Sequence, residues 1–408
     1  MSRILIALEL GGNYGHLAVC LPIAKALRAR GHAVAFALRD LRLAAEWLAP
    51  AGFPFIQSPV PLKTARLSRP PANYAEILLG EGYGDVDGLS GLVGAWRNAF
   101  RLAQADLIVA DHAPTALFAA RLAAIPHVAL GSGFTVPPAQ SPLPSIRPWE
   151  DIPKSRLERS GRVADERLFR VAAKLGCTYH AGLSGLFGTN DLLTTFEELD
   201  CYAPRSGGRY IGPIYALPDT SSVVWPSSTG SRILVYMRPD VPGLPELLTA
   251  LAAGDAAVLC VIPGAKPELS RQFAGTKLQI VPQPVNLQEL LAQADLVVSY
   301  GGHGFLCEAL QAGRPLLIVP QFVEQALNAR GVERLGAGIA IGADRSREVF
   351  GGALARILGD PGFTERARTF AERHALHTPG RSVVLAVEAI EAVLNDKHPA
   401  GNYTFQSP

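Results

Sequence analysis

The sequence is short of cysteine, of net charge and of long apolar runs. Its five cysteines are scattered over 408 residues without a C-x-x-C pair, so neither a zinc site nor a disulfide framework is indicated, and a reducing cytoplasm fits best. Lysine and arginine number 38 against 36 acidic residues, and this net charge of +2 gives no reason to expect nucleic acid as a partner. No run approaches the roughly 18 apolar residues of a membrane span. The short apolar start, broken by Glu9, is not expected to be a signal peptide.

Apolar residues, by contrast, are abundant. Hydrophobic residues make up 48% of the chain and charged residues 18%, which excludes a disordered protein. A chain of 408 residues also exceeds what a single core usually supports. We therefore expect two domains of roughly 200 residues each.

Short β-like runs alternate with helical patterns along both halves of the chain, which predicts parallel sheets covered on both faces by helices. In the first half the predicted strands are residues 4–8, 33–38, 107–110 and 127–130, and the predicted helices are residues 17–30, 42–49, 93–103 and 115–123. In the second half the predicted strands are residues 233–237, 257–262, 278–281, 296–299 and 316–319. The fold class is therefore α/β, with two doubly wound domains.

Residues 213–230 are rich in proline, serine and threonine, which is the composition of an exposed linker. They would separate an N-terminal domain, residues 1–212, from a C-terminal domain, residues 231–375. The last helical segment, residues 376–396, is a candidate for packing back on the N-terminal domain.

The most informative stretch is residues 295–337, which combines a strand, a glycine turn, the opening of a helix, a second strand and a polar cluster. Backbone N–H groups at residues 302–304 would point out of a helix N-terminus, where the helix dipole favours a diphosphate. Glu308, about one turn later, can accept from ribose hydroxyls, and Glu324 with Gln325 can surround a sugar with acceptors and donors. The pattern predicts a nucleotide-sugar site.

A second glycine turn, G-G-N-Y-G-H, follows the first strand and ends at His16. Ligands of open α/β sheets bind beyond the carboxyl ends of the strands, so His16 is a candidate general base. In a competing interpretation it is only a polar residue at a helix start. Another interpretation takes the turn as a dinucleotide fingerprint with Asp40 on the ribose, but the spacing is G-G-x-x-G rather than G-x-G-x-x-G.

Asp111 follows the apolar strand at residues 107–110 and so belongs at the same edge of the sheet. A carboxylate there can hold His16 in the tautomer whose other nitrogen takes a proton. Alternatively, Asp111 caps the helix that starts near Pro114, and both roles can coexist. His112 is the second choice for the base, since no glycine turn precedes it.

The segment V-S-Y-G-G-H-G-F-L-C-E-A-L, then G-R-P-L-L-I-V-P-Q-F-V-E-Q-A-L-N-A, resembles the donor motif of the UDP-glycosyltransferase superfamily, and G-H-L-A-V-C-L-P-I-A-K-A-L-R-A-R-G-H-A-V resembles its opening. The resemblance spans both domains and implies the GT-B fold, in which two Rossmann-like domains face a central cleft. It further implies an inverting, metal-independent transfer of sugar from a UDP- or dTDP-sugar to a hydroxyl of a small or lipid-like acceptor. No cofactor beyond this co-substrate is implied.

Residue by residue, the resemblance implies His16 as the base with Asp111 as its partner. It places Glu308 on the ribose, and Glu324 with Gln325 on the donor sugar; V-P-Q-P-V-N resembles the base-binding loop, with the backbone near Gln283 reading the pyrimidine.

Two departures from the family pattern fall at the phosphate site. Tyr300 stands where the family usually has a histidine, and Phe305 where a small hydroxyl residue is expected. Arg238, after the first strand of the second half, can bind phosphate oxygens in a bidentate manner, so we expect Arg238 with His303 to replace the missing contacts. A surface salt bridge is the alternative role of Arg238.

Other polar patterns have simpler explanations. Asp85 and Asp87 lie in a glycine-rich stretch that we interpret as a solvated turn, and His374 with His377 lack further metal ligands. Residues 154–174 form a basic amphipathic helix that suits anionic lipid or an acidic acceptor, or simply has a solvated basic face. The oligomeric state is open. The competing functions are a sugar-nucleotide epimerase or hydrolase and a non-catalytic binding protein.

Overall fold

The computed structural model describes residues 1–11, 14–62, 64, 67–215 and 222–396. The chain divides into two compact units, which are described separately. Unit 1 comprises Met1–Ile214 and Thr378–Pro408, and unit 2 comprises Tyr215–His377. Part of the predicted linker, residues 216–221, lies outside the described residues.

A parallel sheet forms the centre of unit 1. Its strands, among the residues described, are β1 (Arg3–Leu8), β2 (Ala33–Leu38), β3 (Phe55–Gln57), β4 (Leu107–Asp111), β5 (His127–Gly131), β6 (Asp191–Leu193) and β7 (Arg209–Tyr210). They pair in the order β3-β2-β1-β4-β5-β6-β7. The four strands predicted in this half are confirmed, and the three short strands β3, β6 and β7 were not predicted.

Helices cover both faces of this sheet: α1 (Tyr14–Ala29), α2 (Leu41–Leu43), α3 (Tyr74–Leu78), α4 (Val86–Leu102), α5 (Pro114–Leu122) and α6 (Lys154–Lys174). The predicted turn at Asp85 and Asp87 is wrong. Asp85 is instead the N-cap of α4, its carboxylate accepting from the N–H of Asp87 at 3.0 Å, so the helix begins seven residues before the predicted residue 93. Asp87 in turn binds Lys174 on α6.

Unit 2 has its own parallel sheet. The described strands are β8 (Arg232–Tyr236), β9 (Ala257–Val261), β10 (Leu278–Val281), β11 (Leu296–Ser299), β12 (Leu316–Ile318) and β13 (Gly338–Ala340), in the order β10-β9-β8-β11-β12-β13. The helices are α7 (Leu244–Ala252), α8 (Pro267–Gln272), α9 (Leu287–Gln293), α10 (His303–Gln311), α11 (Val323–Leu335), α12 (Arg347–Gly359) and α13 (Pro361–Arg373). All five strands predicted for this half are present.

The last helix, α14 (Pro379–Asn395), belongs to unit 1, where it packs against α1. Ala386, Val387 and Ile390 are fully buried in the same core cluster as β1. The Ser382 hydroxyl donates to the carbonyl oxygen of Ile211 at 2.6 Å. Apolar burial and this hydrogen bond thus fix the helix to unit 1.

In each sheet, the order in which the chain adds strands reverses at one point. In unit 1 the chain runs from β1 outwards to β3 and then returns to β4 beside β1, and in unit 2 it runs from β8 to β10 and returns to β11. Loops diverge at such a switch point and leave a crevice at the carboxyl ends of the strands. The residues after β1 and β4, and those after β8 and β11, are therefore placed to bind ligands.

Helix α6 carries the basic residues that suggested a lipid or acidic partner. Two of these residues bind acidic side chains on other helices of unit 1: Arg156 binds Glu76 through two of its guanidinium nitrogens, Nε and Nη2, at 2.9 and 2.7 Å, and Lys174 binds Asp87. Among the residues described, the helices are too short or too polar to cross a membrane.

Candidate functional site

His16 and Asp111 meet at the switch point of unit 1. His16 lies in the first turn of α1, and Asp111 is the last residue of β4, opposite Leu8 of β1. The His16 Nδ1 and the Asp111 Oδ2 are 2.9 Å apart, and the two side chains are 19% and 3% exposed. A carboxylate at Nδ1 favours the tautomer in which Nδ1 carries the proton and Nε2 a lone pair. The structure thus brings together the two residues that the sequence paired, while their catalytic role stays a prediction.

One cysteine and one further histidine lie next to the His16–Asp111 pair. The Cys20 thiol donates to the same Asp111 Oδ2 at 3.4 Å, and burial raises the pKa of Cys20 well above its usual value. The ring of His112 is 6.2 Å from that of His16, and burial lowers the pKa of His112 to about 3. His112 is therefore neutral in the core, whereas His16 reaches solvent. These positions favour His16 over His112 as the base.

Gly11 makes room for the His16 imidazole. A Cβ built at Gly11 would overlap the His16 ring, with Nε2 as its nearest atom. Gly11 is itself buried, whereas the His16 side chain is partly exposed, so an added Cβ would move the ring rather than the backbone. Glycine at position 11 thus leaves room for the His16 ring, in addition to any role that the turn has in binding a ligand.

We expect Gly11→Ala to lower kcat by about 10²-fold or more without unfolding the protein, because the added methyl group displaces the imidazole from its place. The measurement is kcat together with the melting temperature. Gly91→Ala on α4 is the matched control, since a Cβ there meets nothing within 4 Å, and it should keep full activity and raise stability by up to about 1 kcal/mol. Full activity in Gly11→Ala would contradict the assigned position of the base.

In unit 2 the glycine turn connects β11 to α10. Gly301 has a φ of +86°, and a Cβ there would lie 2.9 Å from Ile318. The Gly301 N–H donates to the Ser299 hydroxyl at 3.2 Å, and the Asn328 side-chain N–H donates to the Gly301 carbonyl oxygen at 3.0 Å. The turn is thus held from both sides, and α10 begins at His303 with Gly302 as its N-cap. The unpaired N–H groups of such a helix start bind anions.

Tyr300 and Phe305 line this helix start. A Cβ at Gly302 would lie 3.0 Å from the Tyr300 ring and 3.3 Å from its hydroxyl oxygen, so the phenol lies directly over the N-cap. The rings of Tyr300 and Phe305 are 6.0 and 4.7 Å from that of Tyr236, the last residue of β8. Aromatic rings thus stand at positions 300 and 305, where the sequence departs from the family pattern. A phenol O–H can still donate to a phosphate oxygen.

Three of the predicted donor residues are fixed by contacts within unit 2. Burial raises the pKa of Glu308, which is 7% exposed, to about 7, and a hydrogen bond from Gln288 lowers it. The Gln325 Oε1 accepts from the N–H groups of Gln321 and Phe322 at 2.8 and 3.3 Å, at the start of α11. The Cys307 thiol lies 3.6 Å from the Nε2 of His303.

The remaining predicted donor residues are half-buried or exposed. Glu324, in the first turn of α11, is half-buried, and Gly304 is half-buried in the first turn of α10. Arg238 binds Asp240 at 2.7 and 3.1 Å, the salt bridge named as its alternative role, and its charge also lowers the pKa of Tyr300, which burial raises. Gln283 is exposed after β10, at the same sheet edge but three strands from β11.

Two residues at these sites were missed from the sequence. Glu9 follows β1 and is buried, and Tyr236 ends β8 and is half-buried. Asn328, which ends the polar cluster recognised in the sequence, holds the glycine turn. The strand ends were the available signal for Glu9 and Tyr236, because each directly follows or ends a predicted strand at the switch point. Within the described chain, no three histidine, cysteine, aspartate or glutamate side chains form a group that could hold a metal ion.

The chain is similar in sequence to several known proteins. Residues 245–390 match the family model described as "Erythromycin biosynthesis protein CIII-like, C-terminal domain". A PGL/p-HBAD biosynthesis glycosyltransferase of Mycobacterium tuberculosis (strain ATCC 25177 / H37Ra) is 27% identical over 65% of this chain, and a PGL/p-HBAD biosynthesis rhamnosyltransferase of Mycobacterium bovis (strain BCG / Pasteur 1173P2) is 26% identical over 65%. The matches span 66% and 63% of those relatives, just under two thirds of their length.

Solved structures share the fold over almost the whole chain. The calicheamicin glycosyltransferase CalG4 has a TM-score of 0.70 at 19% identity, covering 98% of this chain and 100% of that one. The glycosyltransferase VinC in complex with DTDP has a TM-score of 0.67 at 18% identity, covering 96% and 100%. The spinosyn rhamnosyltransferase SpnG complexed with spinosyn aglycone has a TM-score of 0.63 at 21% identity, covering 95% and 100%.

The fold is GT-B, as predicted: two units, each with a parallel sheet in a doubly wound α/β arrangement. The family model, the relatives and these structures support the predicted resemblance to the UDP-glycosyltransferase superfamily.

Proposed function

We propose that the protein is an inverting glycosyltransferase that moves a sugar from a nucleoside-diphosphate sugar, with dTDP or UDP as the nucleotide, to a hydroxyl of a small-molecule acceptor. The observation that carries the proposal is the His16–Asp111 pair, 2.9 Å apart at the switch point of unit 1. The names of the relatives and of the solved structures support a sugar donor, and rhamnose is a donor sugar worth testing first.

The proposed reaction begins at His16. The acceptor hydroxyl gives its proton to Nε2 while its oxygen attacks the anomeric carbon from the face opposite the diphosphate. The bond from the anomeric carbon to the diphosphate oxygen breaks, and the nucleoside diphosphate leaves with the electron pair. Asp111 keeps its charge and stabilises the imidazolium that forms. One displacement gives a product of inverted configuration.

The leaving diphosphate needs stabilisation in unit 2. We assign this to the N–H groups of residues 302–304 at the start of α10, since fixed dipoles aimed at developing charge lower the barrier. The Tyr300 hydroxyl, over Gly302, is placed to donate to a phosphate oxygen. Arg238 would exchange its contact with Asp240 for one with phosphate.

The acceptor is best sought among small molecules. The relative SpnG, whose structure contains an aglycone, supports the same class.

Nucleotide binding by the purified protein tests the donor half of the proposal. We expect dTDP or UDP to raise the melting temperature, by the equivalent of about 2.7 kcal/mol at 100 times Kd, and GDP and NAD(H) to have little effect. Arg238→Ala should weaken dTDP binding about tenfold, because a charge-assisted hydrogen bond to phosphate is removed.

Arg271→Ala is the matched control for this variant. Arg271 forms an exposed salt bridge with Glu268 in the same unit, as Arg238 does with Asp240, and its loss should leave dTDP binding unchanged. Failure of every nucleotide to bind would favour the non-catalytic alternative. Stabilisation by NAD(H) alone would refute the donor assignment.

A further inference from the structure

Glu9 is a buried carboxylic acid beside the proposed catalytic pair that the reaction does not use. It directly follows β1, before the glycine turn that leads to His16, and is 2% exposed. Its Oε2 accepts hydrogen bonds from the backbone N–H groups of Thr115 and Ala116, at 2.9 and 3.4 Å, at the start of α5. The N-cap of α5 is Ala113, which has no acceptor side chain. Glu9 therefore caps α5 from a neighbouring strand.

Helix α5, which Glu9 caps, follows the turn that comes directly after Asp111 at the end of β4. This turn includes His112, whose φ of +46° lies in the left-handed region that residues other than glycine rarely adopt. The N–H of Leu10 donates to the His112 carbonyl oxygen at 3.0 Å, so a second bond ties this turn to the end of β1. Glu9 and Leu10 thus hold the segment that follows Asp111 against the segment that leads to His16.

The surroundings of Glu9 keep its carboxyl in this place. Burial raises the pKa of Glu9 to about 7, while hydrogen bonds from α5 and the charge of Arg39 act to lower it. The Thr115 hydroxyl contacts the Tyr83 hydroxyl at 3.2 Å, and burial, followed by the charge of Glu9, raises the pKa of the phenols of Tyr74 and Tyr83. Protonated or not, the carboxyl keeps an oxygen that can accept from the N–H of Thr115.

We infer that Glu9 is a positioning residue: by capping α5 it fixes the turn after β4 and holds Asp111 at hydrogen-bonding distance from His16. The importance of this contact for catalysis rests on the proposed function. The contact itself does not, and it can be measured separately from activity.

The test is the low-field proton NMR signal of the His16 Nδ1–H that is shared with Asp111, recorded on the full chain and assigned by its loss in His16→Ala. Glu9→Met keeps the approximate length of the side chain but removes both carboxyl oxygens, so it cannot cap α5. We expect this variant to weaken or lose the signal and to lower kcat about tenfold with less than about twofold change in KM.

Asp191→Leu, which likewise removes a buried carboxyl group, is the matched control. Asp191 is another buried carboxylic acid of unit 1 that accepts a backbone N–H, from Gly188 at 2.7 Å, and it lies on β6, two strands from Asp111. This variant should keep both the signal and kcat. A purely structural role for Glu9 would instead affect the two variants alike.

An unchanged signal and kcat in folded Glu9→Met would overturn the inference. If Glu9→Met does not fold, Glu9→Asp, which keeps the carboxyl group but shortens the side chain by one methylene, is measured with the same expectation. Unfolding of both variants beside a folded Asp191→Leu would assign Glu9 to stability alone and also overturn it. A wild-type protein that shows the signal but transfers no sugar would count against the proposed function only.

Discussion

Replacing His16 with alanine is expected to lower the kcat of sugar transfer by about 10³-fold, since a positioned general base contributes about 10²–10⁴-fold to the rate. The proposed donor contacts lie in unit 2, and the His16 side chain is partly exposed, so folding and dTDP affinity should change little. The measurement is kcat at saturating donor and acceptor, together with the melting temperature and dTDP affinity of the same preparation.

His32→Ala is the matched control for this experiment. His32 is also a histidine of unit 1 paired with a carboxylate, its Nε2 lying 3.2 Å from an Oε1 of Glu391 on α14. This pair is away from the switch point, so its loss should leave kcat within about threefold of wild type. Similar losses in the two variants would show that a histidine–carboxylate pair serves only stability here.

The second large effect is expected for Asp111→Asn, which should lower kcat by about 10³-fold. An asparagine that turns its amide N–H towards Nδ1 stabilises the wrong tautomer, in which Nε2 carries the proton and cannot accept another. The same kind of change in a serine protease triad costs about 10⁴-fold. The measurement is kcat, with KM for donor and acceptor expected to change far less.

Glu391→Gln, which alters the carboxylate of the other pair, provides the comparison for Asp111→Asn. It should leave kcat close to wild type. If Asp111→Asn retains most of the activity, the carboxylate does not orient the base, and its contacts with His16 and the Cys20 thiol are structural.

The fold could be predicted from the sequence largely because its inner strands are apolar. Strands such as β1, β4 and β9 are almost entirely buried and read as continuous hydrophobic runs, which is typical of parallel sheets. β6 and β7, with three and two residues, are too short for such a pattern. They form because β6 pairs with β5 and β7 pairs with β6. This pairing is a long-range effect that local sequence does not encode.

The early start of α4 has a different cause. Residues 82–88, which precede the predicted helix start at residue 93, contain three glycines, and this composition suggested a loop. In the structure Asp85 caps the helix and the buried residue Leu89 packs into the core, so tertiary contacts compensate for the low helix propensity of glycine.

The sequence predicted those parts of the candidate site that lie at strand ends. It did not predict the parts that are formed by side-chain packing. His16 and Asp111 each follow a strand at one switch point, so their proximity could be inferred from topology. The ring of Tyr300 over Gly302 and the cap that Glu9 provides for α5 join residues by contacts that spacing does not reveal. The salt bridge of Arg238 could be given only as an alternative for the same reason.

The most direct test of the central claim is acceptor-dependent release of nucleoside diphosphate from dTDP- and UDP-sugars, measured over a panel of small hydroxylated acceptors with wild-type protein and His16→Ala. We predict that wild type releases dTDP or UDP in step with a glycoside of inverted anomeric configuration, and that His16→Ala binds the same nucleotide without releasing product. Release at equal rates by both proteins, or a product of retained configuration, would contradict the account.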